Sequence, residues 1–153
     1  MRTIKYRGKT KNGEWLYGDL LQVANEVFIA PSDGDWFDFI PWSRNNVFHL
    51  PAAKYAVIPD TVGQFTGLHD KDGIEIYEGD IVRHEYMLHL RHRAPAQIKR
   101  VGRIDFMPNG GGFAIVEPTN RTTLYIGIAK ECTVIGNFLD NHEKLGGGVN
   151  EYD

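Results

Sequence analysis

Residues 59–82 read PDTVGQFTGLHDKDGIEIYEGDIV, and this stretch decides the fold because it places two sharp turns between short apolar runs. The run through Val62 and Phe65 predicts a strand. Asp70–Gly73 predicts a tight hairpin turn, because glycine adopts positive φ without a Cβ penalty and aspartate tolerates it. Glu78–Asp80 predicts a second turn. The residues expected to break or turn the chain, and so to set the register of three strands, are Gly67, Asp70, Gly73, Gly79 and Asp80.

This stretch and three distant segments resemble the signature of a known family. The residues that carry the resemblance are Tyr6–Lys9, Trp15–Gly18, Thr61–Leu68, Asp70, Gly73, Ile76–Val82 and Val134–Asn137. Together they are similar to the YopX family of phage and prophage proteins. The resemblance implies a small β-rich fold encoded by a phage. It implies no biochemical role, so no catalytic or binding residue is carried over from it.

Turn residues along the whole chain predict many short strands. The 153 residues include 17 Gly, 7 Pro and 12% aromatic side chains, a composition that favours strands over long helices. Asn12-Gly13 predicts an N-terminal β-hairpin. We therefore expect a mostly β fold, a small bent barrel or sandwich of short antiparallel strands. It would form one domain, with an N-terminal β lobe at 1–53, a principal barrel at 54–145 and a mobile tail at 146–153.

The C-terminal half contains segments with less distinct patterns. Glu85–Arg93 fits either a helix or a strand, and we prefer a strand that enters an exposed loop at His92–Gln97. Thr123–Ile128 and Cys132–Phe138 predict two further strands. Asp140 predicts the N-cap of one helical turn that ends at Leu145.

Cysteine content and hydropathy indicate where the protein acts. Cys132 is the single cysteine, so the chain forms no disulfide framework. No apolar leader follows Met1, and no apolar run approaches the length of about 20 residues that spans a bilayer. These features predict a cytoplasmic protein with no membrane partner.

Charge is distributed unevenly along the chain. The net charge is −3, but the segment 83–103 contributes +5 from six bases and one acid, so the other residues must total −8. This separation makes the six bases candidates for contact with nucleic-acid phosphates. They are Arg83, Arg91, Arg93, Lys99, Arg100 and Arg103.

Metal and cofactor motifs are incomplete. His84, His89 and His92 lie within nine residues, but neither a strand nor a helix brings all three onto one face. Asp70–Gly73 resembles part of a calcium loop without the end ligands. Asn109–Gly112 is rich in glycine but lacks the Lys-Ser/Thr pair of a phosphate-binding loop. We therefore expect no metal and no cofactor.

Catalytic motifs are also incomplete. Glu75, Glu78 and Asp80 could form a carboxylate pair, yet acids at tight turns commonly bond their own backbone instead. Cys132 begins an apolar strand with no base nearby in the sequence, which is typical of a buried, unreactive thiol. The sequence therefore predicts no catalytic residue.

The segment from Asp33 to Trp42 is the richest in aromatic residues. Its rings could stack on a ligand or a partner, or fold over the first sheet as a lid, and the sequence leaves both open. The candidates for an interaction loop are Trp36, Phe37, Phe39 and Trp42.

These observations favour a non-enzymatic binding or interaction module. Its partner would be a protein or a second copy of the chain. The alternatives are a nucleic-acid-binding protein that uses segment 83–103, and an enzyme of unknown reaction.

Overall fold

The computed structural model describes residues 3–32, 42–44, 47–49, 51–89, 91–92, 94–118 and 123–145. The predicted mobile tail, and most of the predicted aromatic loop, lie outside these residues. The chain divides into two compact units, Met1–Phe65 and Thr66–Asp153. The sequence placed the boundary of the first lobe near residue 53. The units divide at residue 65 because residues up to that point still pair with N-terminal strands.

The first unit contains one sheet and a separate pair of strands. Its strands are β1 (Tyr6–Lys9), β2 (Trp15–Val23), β3 (Glu26–Pro31), β4 (Trp42–Arg44), β5 (Val47–His49), β6 (Ala56–Val57) and the start of β7 (Gly63–His69). The sheet has the order β6-β3-β2-β1-β7, and β4 pairs with β5. The predicted turn at Asn12-Gly13 joins β1 to β2, with the Gly13 N–H donating to the Thr10 carbonyl at 3.0 Å. The N-terminal hairpin is therefore confirmed.

One hydrophobic cluster of the first unit lies on a single face of its sheet. Phe28, Ala30 and Tyr55 are buried together there. Phe28 and Ala30 lie two residues apart on β3, so the alternation of a strand brings both side chains to the same face.

The second unit contains the rest of β7 and six further strands. They are β8 (Glu75–Tyr77), β9 (Asp80–Leu88), β10 (Ala96–Met107), β11 (Gly112–Val116), β12 (Thr123–Tyr125) and β13 (Cys132–Asn137). β7 pairs with β8, and the other five form an antiparallel sheet in the order β12-β11-β10-β9-β13. A short helix, α1 (Phe138–Asn141), follows β13. The core side chains come from five strands, and they are Ile76, Val82, Ile104, Ile115 and Cys132.

The predicted fold class is confirmed, because the protein is mostly β with short antiparallel strands. The sheets are open, and the described residues form no closed barrel. The strand predicted from Glu85 onward is also confirmed, since β9 continues to Leu88. Among the described residues, no helix is long and apolar enough to cross a bilayer.

Three local predictions were wrong. Gly67 has a φ of 85° but does not end the strand, which continues to His69. β12 ends at Tyr125 and is followed by 3₁₀ turns at Ile126–Glu131, because a short apolar run fits a helical turn as well as a strand. The N-cap is Asn137 rather than Asp140, because the Asn137 side chain accepts the Asp140 N–H at 3.0 Å.

Candidate functional site

The Asp70 carboxylate joins the central turn to the last strand. Its Oδ1 accepts the N–H groups of Asp72 and Ile74 at 2.8 and 2.9 Å, and its Oδ2 accepts the N–H of Val134 at 2.9 Å. The Lys71 N–H also donates to the Cys132 carbonyl. Asp70 is only 6% exposed. Residues 61–82 and 134–137, two distant segments that resemble the family signature, therefore meet at a single buried carboxylate.

The backbone environment of Asp70 keeps it ionised. Burial by itself raises the pKa of this carboxyl group. The N–H groups of Val134, Ile74 and Asp72, together with the Lys71 ammonium, outweigh burial and hold the pKa below its ordinary value. Asp70 is therefore an ionised structural acceptor at neutral pH.

The second turn is held in a similar way. Asp80 is 2% exposed, and its Oδ2 accepts the N–H of Tyr77 at 2.8 Å. The Gly79 N–H donates to the Ile104 carbonyl, and the Gly79 carbonyl accepts the Phe138 N–H, both at 2.8 Å. Glu75 accepts the Tyr77 hydroxyl at 2.6 Å. Asp70 and Asp80 thus accept backbone N–H groups, and Glu75 accepts a neighbouring hydroxyl.

Cys132 has the environment of an unreactive thiol. Its side chain is fully buried and donates to the Ile128 carbonyl at 3.5 Å. Burial, with smaller contributions from the Glu131 and Asp70 carboxylates, raises the pKa of the thiol to about 11. Because the thiolate is the nucleophile, Cys132 is a poor one at neutral pH.

The three histidines lie in different surroundings. His84 is buried within β9, whereas His89 and His92 are exposed in the connection between β9 and β10. Within the described ranges, no group of three His, Cys, Asp or Glu side chains is placed to hold a metal ion.

The five described bases of segment 83–103 divide into two groups. Three arginines face carboxylates, in the pairs Arg83–Glu85 at 3.1 Å, Arg100–Glu117 at 3.5 Å and Arg103–Asp105 at 2.7 Å. Arg91 and Lys99 are exposed, and the sixth base, Arg93, lies outside the described residues. Glu117 and Asp105 both lie downstream of the segment, so its charge is more neutralised than the sequence suggested.

β9 and β10 form a hairpin that extends beyond its neighbouring strands. β13 pairs with β9 only as far as His84, and β11 pairs with β10 only from Arg103 onward. Beyond these points β9 and β10 pair only with each other, from Glu85↔Lys99 to Leu88↔Ala96. We call residues 85–99 the arm. Among the described strands, none pairs with either outer edge of the arm.

The arm exposes apolar as well as basic side chains. Tyr86 is 37% exposed and Met87 is 52% exposed. Because successive strand residues point to opposite faces, Tyr86 and Met87 lie on different faces of the arm. The arm therefore offers apolar contact area on both faces and two outer edges with which no described strand pairs.

A polar cluster lies where the arm joins the sheet. His84 is opposite Arg100 across the two strands, and its ring stacks on Tyr86 with centroids 5.1 Å apart. Its Nε2 lies 3.6 Å from a Glu131 carboxylate oxygen, and neither ring nitrogen has a hydrogen-bond partner within the described structure. Arg100 contacts Glu117, which is 4% exposed. These residues separate the apolar core from the arm.

The predicted aromatic loop lies largely outside the described residues. Trp36, Phe37 and Phe39 lie outside the described residues, and Trp42 begins β4 with a side chain that is not described. Their role as an interaction loop remains a prediction.

The chain is a small, mostly β protein in which buried aspartates hold two turns and a two-stranded arm extends from the sheet β12-β11-β10-β9-β13. The chain belongs to the YopX family, whose description is "YopX protein" and which matches residues 5–146.

The fold is also similar to a solved structure, protein EF1440 from Enterococcus faecalis. That likeness has 22% identity, covers 95% of this chain and 99% of the other, and has a TM-score of 0.54. No curated protein matches the sequence. The family is therefore shown, and the solved structure supports the fold alone.

Proposed function

We propose that this phage-type YopX protein is a non-enzymatic binding module for a protein partner, and that the arm is its contact element. The observation that carries the proposal is the extension of β9 and β10 beyond β13 and β11. A hairpin of two strands has little stability of its own in water, so a free arm gains stability when a partner covers it.

Unpaired strand edges are a natural binding surface. Their N–H and C=O groups are ready to pair with another chain, and proteins normally cover or blunt such edges. An added strand gains affinity from main-chain hydrogen bonds and specificity from alternate side chains. Exposed Tyr86 and Met87 would add apolar contact.

The chemistry of the signature supports binding over catalysis. Asp70 and Asp80 are buried and bonded to backbone N–H groups, so neither is placed to meet a substrate. Cys132 is buried with a raised thiol pKa.

Nucleic-acid binding is the second candidate, and exposed Arg91 and Lys99 favour it. The carboxylates beside Arg83, Arg100 and Arg103 disfavour it, because they neutralise these arginines and would repel phosphates.

Site-specific photo-cross-linking in the native host tests the proposal. A photoreactive residue at Met87 would probe the arm, and the same residue at Ile74 would be the control. The two positions are matched because Met87 is 52% exposed and Ile74 is 54% exposed, both within the second unit. We expect a discrete, protease-sensitive and nuclease-resistant adduct from Met87 that is absent from Ile74.

Replacing the tip of the arm, residues 89–95, by a two-residue turn should retain that adduct without lowering the melting temperature, because both strands of the arm remain and the described tip residues are exposed. Identical adducts from both positions would refute the arm as the contact element. A nuclease-sensitive adduct would favour the second candidate.

A further inference from the structure

We infer that the partner presents an extended, acidic segment, which adds as a strand to the β10 edge of the arm. This inference rests on the proposed function and specifies the chemistry of the partner. β10 is the longest strand, Ala96–Met107, and β11 covers its outer edge only from Arg103. The four β10 residues of the arm, 96–99, therefore lack a described outer strand. At about 3.4 Å per residue, they offer an edge of about 14 Å.

The charges along this edge select an acidic strand. Lys99 is exposed, and Arg91 is exposed in the connection that leads into β10. Glu85, which faces Lys99 across the arm, is itself paired with Arg83 at 3.1 Å, and the sequence contains no acid between Glu85 and Asp105. Opposite charges on directly facing residues of neighbouring strands are favourable, and like charges are unfavourable. A strand with glutamate or aspartate opposite Lys99 would therefore be preferred over a neutral or basic one.

The same charges disfavour a second copy of the chain at this edge. Two copies related by two-fold symmetry would present the same patch to each other. Two β10 edges would thus bring Lys99 and Arg100 of one copy close to those of its partner. A lysine on a strand edge is a common device against self-pairing, and it leaves the edge open to an acidic strand.

Nucleic acid fits the edge less well than a peptide does. Arg91 and Lys99 would contact about two phosphates, which gives a log–log salt slope of about −1.8 on duplex DNA. Phosphates also make no use of the unpaired backbone groups, whereas an added strand bonds to them directly.

Three labelled synthetic peptides test the inference by fluorescence anisotropy. The first alternates glutamate and threonine, the second has lysine in place of glutamate, and the third is the acidic peptide with alternate backbone nitrogens methylated. The third keeps the charge but loses the donors of strand pairing. We expect the acidic peptide to bind, and each of the other two to bind at least about tenfold more weakly. Hydrogen exchange at residues 96–99 should slow when the acidic peptide is bound.

Variants and a labelled DNA duplex complete the test. Lys99→Glu should weaken binding of the acidic peptide by about tenfold. Lys130→Glu, at an exposed lysine outside the arm, should leave binding unchanged. Equal binding of the methylated peptide would overturn the inference, because attraction would then be electrostatic alone. No binding of the acidic peptide would also overturn the inference, and so would stronger binding of the duplex. Dimers that light scattering detects in wild type but not in Lys99→Glu would overturn it as well. In these cases a Met87 adduct to a protein would still support the arm as the contact element.

Discussion

Replacing Asp70 by asparagine should destabilise the second unit, because one buried carboxylate there receives N–H groups from two distant segments. Oδ1 accepts the Asp72 and Ile74 N–H groups, and Oδ2 accepts that of Val134. An amide has only one oxygen. In Asp70→Asn, either the turn or β13 must therefore face an NH₂ group that cannot accept a hydrogen bond.

The expected loss follows from these contacts. Hydrogen bonds to a charged group contribute about 1.5–3 kcal/mol each, and neutral ones about 1 kcal/mol. If the amide oxygen keeps the two bonds to the turn, each weakens by about 1 kcal/mol, and the Val134 N–H is left unpaired at a cost of about 1–3 kcal/mol. We therefore expect a loss of about 3–5 kcal/mol in the free energy of unfolding at neutral pH.

The loss should depend on pH in a defined direction. The pKa of Asp70 is lowered in the folded protein, so the unfolded chain binds a proton more readily. The stabilisation by this carboxylate is complete above the unfolded pKa of about 3.9, and it is lost as pH falls through the folded pKa. Below that value the wild-type side chain is neutral like asparagine. The difference between wild type and Asp70→Asn should therefore shrink in acid.

Urea unfolding followed by circular dichroism measures this difference at neutral pH and at several values down to about pH 2.5. The control is Asp72→Asn, because Asp72 is exposed and contributes only its backbone N–H to the turn. We expect the control to remain within about 0.5 kcal/mol of wild type. A neutral-pH loss below about 1 kcal/mol for Asp70→Asn, or a difference that stays constant into acid, would refute the reasoning.

Three further predictions concern backbone conformation, packing and the thiol. Gly73 has a φ of +83° with open space around it. Gly73→Ala should therefore lower the free energy of unfolding by about 1–2 kcal/mol through backbone strain alone. Gly110→Ala should be near neutral in the same urea titration. A Cβ at Gly102 would lie 2.6 Å from a side-chain methyl of β11, so Gly102→Ala should lower stability by about 1–3 kcal/mol, whereas Gly112→Ala, with no atom within 4 Å, should not. The thiol of Cys132, with its pKa near 11, should react with an aromatic disulfide reagent in urea but not in the native protein, and rapid native labelling at neutral pH would contradict its burial.

The turns could be predicted from the sequence because they are local. Asn12-Gly13 and Asp70–Gly73 fix their conformation through positive φ and bonds that span a few residues. The mostly β class follows from the same turns. The strand β9 could also be predicted, since Val82, His84, Tyr86 and Leu88 fall on one face of an extended chain.

Predictions failed where the local sequence fitted two different structures equally well. Ile126 and Ile128 both pack against the core of the second unit, but from 3₁₀ turns rather than from a strand. Asn137 and Asp140 both favour N-caps, and the exit of the chain from β13 placed Asn137 at the cap.

The sequence by itself determined the turns, the strand-rich class and the resemblance to the YopX family, because these depend on residues that are close together in the chain. Only the tertiary structure showed that Asp70 bonds to Val134, 64 residues away. It alone paired Arg100 with Glu117, and so reduced the charge of the basic segment. It alone showed that β9 and β10 extend beyond their neighbouring strands. Strand lengths and distant partners are set by which segments meet across a sheet, and local propensity contains no information about that meeting.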